Sequence, residues 1–173
     1  MRLKNTLIVV EDIERSKAFY RELFGLSVVT DFGENVILTE GLVLQERKTW
    51  ERFTGKKAVY GGCDAELYFE ENDMDGFLAR LQKQEPPVSY VNESMEHDWG
   101  QRVVRLYDPD RHVIEVGESM NFVARRFLNM GMTAEQTAEK HSFRLSRSGR
   151  WQEERTVSGE AVVHEVRRKG RIK

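Results

Sequence analysis

The chain runs twice through the same order of elements, strand–helix–strand–strand–strand. That repeat limits what it folds into more than any other feature. Residues 4–10 are apolar and β-branched, the pattern of a strand. Over residues 13–24, Ala18, Phe19, Leu23 and Phe24 recur near a 3.6-residue period, with Asp12 placed to cap the helix and Gly25 to end it. Residues 26–30, 35–39 and 41–47 read as strands, the first two separated by a turn at 31–34. The order returns with a strand at 65–69 and a helix at 73–84 whose apolar face carries Phe77, Leu78 and Leu81. A short strand at 88–91 follows, then a hairpin of 102–107 and 112–117. The hairpin turns on Asp108-Pro109-Asp110, where Pro fixes φ and Asp bonds its own backbone. A single module of this kind leaves one sheet face uncovered, so the two are expected to pack as one domain.

Strand alternation sorts the side chains by face. Thr6, Ile8 and Val10 share one side of the first strand, and Asn5, Leu7 and Val9 the other. Val104, Leu106, Ile114 and Val116 alternate with Val103, Arg105, Tyr107, Val113 and Glu115 in the last hairpin. Each strand thus offers one apolar face for helices and one mixed face. Apolar walls with a few polar groups are what a small-molecule cavity needs, and a second face left wet gives the same pattern.

The 173 residues suit one such domain with an appendage, and 17 aromatic side chains exclude a disordered composition. No apolar run approaches the ~18 residues of a membrane span. The short apolar start closed by Glu11-Asp12 does not read as a signal peptide, and a lone cysteine, Cys63, fits a reducing compartment, so a cytoplasmic location is expected. Residues 1–118 carry 15 basic and 23 acidic side chains, and residues 119–173 carry 12 and 6. An acidic body disfavours nucleic acid as a partner. Within the extension, residues 120–130 read as a helix, and Thr133 with Gln136 forms a capping box that opens another through about residue 141. Residues 143–151 make a poor recognition helix, with two serines and a glycine. The segment beyond about 150 reads as partly ordered, with a basic end.

At both ends of the repeat the residues resemble a known family. LIVVEDIERSKAFYRELFGL and DWGQRVVRLYDPDRHVIEV are similar to the opening and closing signatures of vicinal oxygen chelate proteins: glyoxalase I, bleomycin- and fosfomycin-resistance proteins and extradiol dioxygenases. The resemblance covers residues 1–118. It implies an α+β fold in which βαβββ modules at 1–60 and 61–118 form a cupped mixed sheet within one domain, and the residues themselves add a helical extension with a basic, partly ordered tail over 119–173. It also implies a homodimer, a small-molecule ligand and no membrane partner. On activity it implies metal-dependent lyase, isomerase or transferase chemistry of the glyoxalase type, or drug binding without turnover.

The family's four metal positions fall on Asn5, Gln45, Glu66 and Glu115, all on mixed faces. Two amides and two carboxylates suit Mg²⁺, Mn²⁺ or Ca²⁺ better than Zn²⁺ and disfavour an extradiol dioxygenase. On the leading expectation, Glu66 and Glu115 hold a cation that polarises vicinal substrate oxygens, and one of them serves as base. Arg105, on the same face, either orients an anionic ligand group or neutralises the two carboxylates with no cation at all. Gln101, Trp99 and Tyr68 are the further ligand-contact candidates. Cys63 is expected to be a small buried residue, His112 a solvent-facing turn residue and His97 part of a surface loop.

Overall fold

The computed structural model describes residues 1–140, and the expectations for residues 141–173 lie outside them. The elements are β1 (Thr6–Val10), α1 (Ile13–Phe24), β2 (Val28–Asp31), β3 (Asn35–Leu38), a 3₁₀ turn (Thr39–Gly41), β4 (Leu42–Glu46) and α2 (Arg47–Thr54). They continue with β5 (Glu66–Glu71), α3 (Met74–Gln82), β6 (Ser89–Glu96), β7 (Arg102–Tyr107), β8 (Val113–Glu118) and α4 (Met120–Asn129). One four-stranded sheet has the order β1-β4-β3-β2 and the other β5-β8-β7-β6, so each module builds its sheet in the same way. In the first, β1 pairs parallel with β4, and β3 pairs antiparallel with β4 and β2. The α+β class and the tandem modules are as the repeat predicts. The 3₁₀ turn and α2 are unexpected; α2 is capped by Glu46, whose side chain accepts from Thr49 N, and stopped by Gly55 in the left-handed region.

The described chain forms two compact units. One comprises Met1–Tyr68, Asp75–Glu93 and Arg105–Glu115; the other comprises Phe69–Met74, Ser94–Val104 and the residues from Val116 on. In the first unit Ile8, Val10, Val36, Leu38 and Leu44 are buried, as are Tyr20 and Leu23 of α1. Asp12 caps α1 by accepting from Arg15 N at 3.0 Å, and Gly25 (φ 67°) closes it. The Asp108–His112 turn is bound to this helix. Asp108 accepts from Tyr20 Oη at 2.9 Å, from the backbone N of Asp110 and His112, and pairs with His112 Nδ1 at 2.8 Å. Asp110 pairs with Arg15 and accepts from Glu11 N. His112 is therefore half-buried against a carboxylate rather than solvent-facing, because Asp108 folds back over its own turn.

Burial, and after it the charge and hydrogen bond of Asp108, holds the Tyr20 phenol well above its ordinary value. A phenol whose folded value is raised contributes its stabilisation in full below about pH 10, and loses it progressively as pH climbs toward the folded value. Alkaline unfolding that starts above about pH 10 is the expected result in a circular-dichroism titration. Tyr20→Phe flattens that alkaline fall and costs about 1 kcal/mol at neutral pH through the lost hydrogen bond. An identical alkaline profile in Tyr20→Phe contradicts this.

In the second unit α4 is capped by Ser119, whose Oγ accepts from Phe122 N. It buries Val123, Ala124 and Phe127. Residues 134–140 are helical, and Thr133 and Gln136 make both bonds of the predicted capping box, at 2.8 and 3.1 Å. Among the described residues no helix is long and apolar enough to cross a membrane.

Candidate functional site

Three strands of the second sheet bring charged side chains to one place. The hairpin closes with Asp108 N donating to His112 O at 3.0 Å, and counting back from that pair sets Arg105 on β7 opposite Glu115 on the central strand β8. Glu66 comes from β5, on the other side of β8. Arg105 spans the central strand: its Nη2 donates to Glu115 Oε2 and its Nε to Glu66 Oε2 at 3.1 Å. A guanidinium presents its donors in a planar fork, so its neighbouring Nε and Nη2 can each hold an oxygen of a different carboxylate.

The three members differ in exposure. The side chain of Glu115 is 11% exposed, that of Arg105 24% and that of Glu66 42%. A carboxylate as withdrawn as Glu115 needs a compensating partner, and Arg105 supplies it. The Glu66 contact lies nearer water and is worth at most about 1 kcal/mol. With one guanidinium between two carboxylates, the cluster carries a formal charge of about −1.

The other half of the expected ligand set is arranged differently. Gln45 is buried on β4, where its Oε1 accepts from Asn35 Nδ2 at 2.8 Å and its Nε2 donates to the Glu34 carbonyl at 2.8 Å. Asn35 is its cross-strand partner on β3. Sequence reading missed Asn35, although the β3–β4 pairing places it next to the amide that it holds. Asn5 is exposed beside Gly41. The parallel register pairs Thr6 with Leu42 and Val9 with Gln45, so Asn5 stands four residues before the partner of Gln45. At roughly 3.3 Å per residue this is about 13 Å along the strand. Ligands at ~2–2.6 Å cannot share one cation over that span.

The expectation that Asn5 and Gln45 complete one coordination sphere is therefore corrected. Strand alternation sets the face but not the height along it. Among the described residues no group of three or more His, Cys, Asp or Glu side chains is placed to hold a metal ion. The donor set does not fit the divalent cation that the family resemblance implies.

The remaining candidates are placed as follows. Tyr68 lies two residues from Glu66 on β5, on the same face, and is exposed. Trp99 and Gln101 belong to the second unit. There the Trp99 indole donates to Gln101 Oε1 at 3.0 Å, and buried Gln101 donates to the Glu118 carbonyl at 2.7 Å. Gln101 thus ties its loop to the end of β8. His97 stacks on Trp99 with ring centroids 4.2 Å apart. Cys63 is exposed, contrary to expectation, because β5 starts only at Glu66 and leaves it in the preceding loop, 4.0 Å from Tyr107 Oη. An open groove in the second unit, lined by Asp98, Gln136, Glu139 and Lys140, contains none of the expected site residues.

Known proteins agree with this architecture. No curated protein matches the sequence. Among solved structures, a protein of unknown function from Agrobacterium tumefaciens is 40% identical, with a TM-score of 0.59 over 69% of this chain and 94% of that one. A lactoylglutathione lyase from Agrobacterium tumefaciens is 25% identical, with a TM-score of 0.55 over 68% of this chain and 93% of that one. A glyoxalase/bleomycin resistance protein/dioxygenase family enzyme from Burkholderia phytofirmans shares the fold at 17% identity, with a TM-score of 0.57 over 66% of this chain and 96% of that one. The glyoxalase-like domain family matches residues 3–121, which span the whole tandem repeat, and the chain belongs to that family.

Proposed function

We propose that this glyoxalase-like chain binds a small polar metabolite or xenobiotic without turning it over, with Glu66, Arg105 and Glu115 as the polar centre of its site. One observation carries the reading: Glu66 and Glu115 each commit one oxygen, Oε2, to the same guanidinium, so the polar centre is a charge-paired cluster rather than two unpaired carboxylates. Recognition then rests on the acceptor oxygens and on the remaining guanidinium N–H groups, in the way that a few placed polar groups orient a ligand in an otherwise apolar site. Exposed Tyr68 adds an aromatic surface beside Glu66.

The test is calorimetry with a panel of organic acids, amines, lactoylglutathione and bleomycin. A ligand of this site is expected to bind at least tenfold more weakly to Arg105→Ala and to Glu115→Gln. A ligand whose affinity both variants leave unchanged contradicts the assignment.

A second reading, turnover by a lyase, is favoured by the 25% identity to the lactoylglutathione lyase. In that reading Glu66, the more exposed carboxylate, leaves Arg105 and serves as base. Consumption of lactoylglutathione that disappears in Glu66→Gln replaces the binding reading with this one.

A further inference from the structure

We propose that Arg105 is the resident cation of the site: its guanidinium occupies the space between Glu66 and Glu115 in place of a divalent ion, and the two carboxylates become a metal site only when it is removed. The inference deepens the reading above and rests on it only in taking this cluster as the functional centre.

Three features carry it. Arg105 reaches both carboxylates at once from the strand paired with that of Glu115, giving Nη2 to one and the neighbouring Nε to the other. Glu115 is largely withdrawn from solvent and keeps its charge compensated by Arg105, so a divalent ion entering the cluster must first displace that guanidinium. The amides cannot complete a coordination sphere together: Gln45 bonds Asn35 and Glu34, and Asn5 stands about 13 Å along the strand from it.

Electrostatics favours exclusion. An ion that entered with Arg105 in place would put two positive charges against a third a few ångströms away, in a partly dry site where such repulsion is weakly screened. Without Arg105, Glu66 and Glu115 lose the cation that they share, and their oxygens are donors that suit a hard cation.

The test uses the full chain and Mn²⁺ alone, with free and bound ion separated by electron paramagnetic resonance. Wild type is expected to bind no Mn²⁺ at up to about 1 mM, the weak end of protein sites for hard cations. Arg105→Ala is expected to gain one site at least tenfold tighter than any in wild type, and Arg105→Ala with Glu115→Gln to lose it again. Arg105→Lys keeps the charge and is expected to stay metal-free. If Arg105→Ala fails to fold, Arg105→Gln, which keeps the stem packed, carries the same expectation. Mn²⁺ bound by wild type as tightly as by the charge-free variants overturns the proposal, as does a folded charge-free variant that gains no site. A protein with no small-molecule ligand at all sinks the functional reading and leaves these outcomes unchanged.

Discussion

Glu118→Gln is expected to lower the unfolding free energy by about 3–5 kcal/mol, the range measured when one member of a buried ion pair is removed. Glu118 is fully buried at the end of β8. One oxygen accepts from Arg102 Nε at 2.8 Å and lies 2.6 Å from Arg102 Nη2, while the other accepts from Arg102 N and from Arg126 Nη2, both at 3.0 Å. Arg126 lies in the last turn of α4 and also donates to the Gly100 carbonyl. A single carboxylate thus ties strand to strand and both to the helix. The neutral amide keeps the shape but withdraws the charge that two guanidinium groups share. Urea denaturation followed by circular dichroism measures the loss, and a change below about 1 kcal/mol contradicts this view of how α4 is held.

The second large effect is expected at Gly100, in the loop under the same helix. Its φ is +84°, a conformation that L side chains rarely adopt, and a Cβ built there lies 2.0 Å from Phe127 Cζ and 2.7 Å from Cε2. Phe127 is buried, with Arg126 and Lys140 cations over its ring. Gly100→Ala must therefore push the ring out of its seat, at a cost of about 3 kcal/mol in lost packing and backbone strain. Phe127→Ala alone costs a similar ~3 kcal/mol through the cavity it leaves. Because the two changes destroy the same contact, the double variant is expected to lose at least about 1 kcal/mol less than the sum of the single losses. Additive losses in the double-mutant cycle contradict direct contact as the cause.

Much of this architecture is legible in the residues, and the failures have physical causes. Helix α1 is readable because cap, apolar period and glycine stop agree. Helix α2 escapes because six of its eight residues are charged or threonine, only Thr49 is buried, and its cap is a glutamate rather than the usual Ser, Asp or Asn. Strand alternation correctly put Arg105, Glu115 and Glu66 on one face, and the Asp108-Pro109-Asp110 turn already implies the Arg105–Glu115 pairing. It could not show that Asn5 and Gln45 differ in height, because a parallel register is set by tertiary packing rather than by a turn. Nor does a sequence reveal that a long side chain will cross a strand to hold two carboxylates. Of the two roles read for Arg105, its pairing with both carboxylates is seen in the geometry.

The most direct measurement is a crystal structure grown with millimolar Mn²⁺ and analysed for anomalous scattering at the β5–β8–β7 cluster. The account predicts the Arg105 guanidinium between Glu66 and Glu115, with no anomalous peak at coordinating distance, about 2.2 Å, from either carboxylate. A manganese peak bridging the two carboxylates, with Arg105 turned away from them, contradicts it.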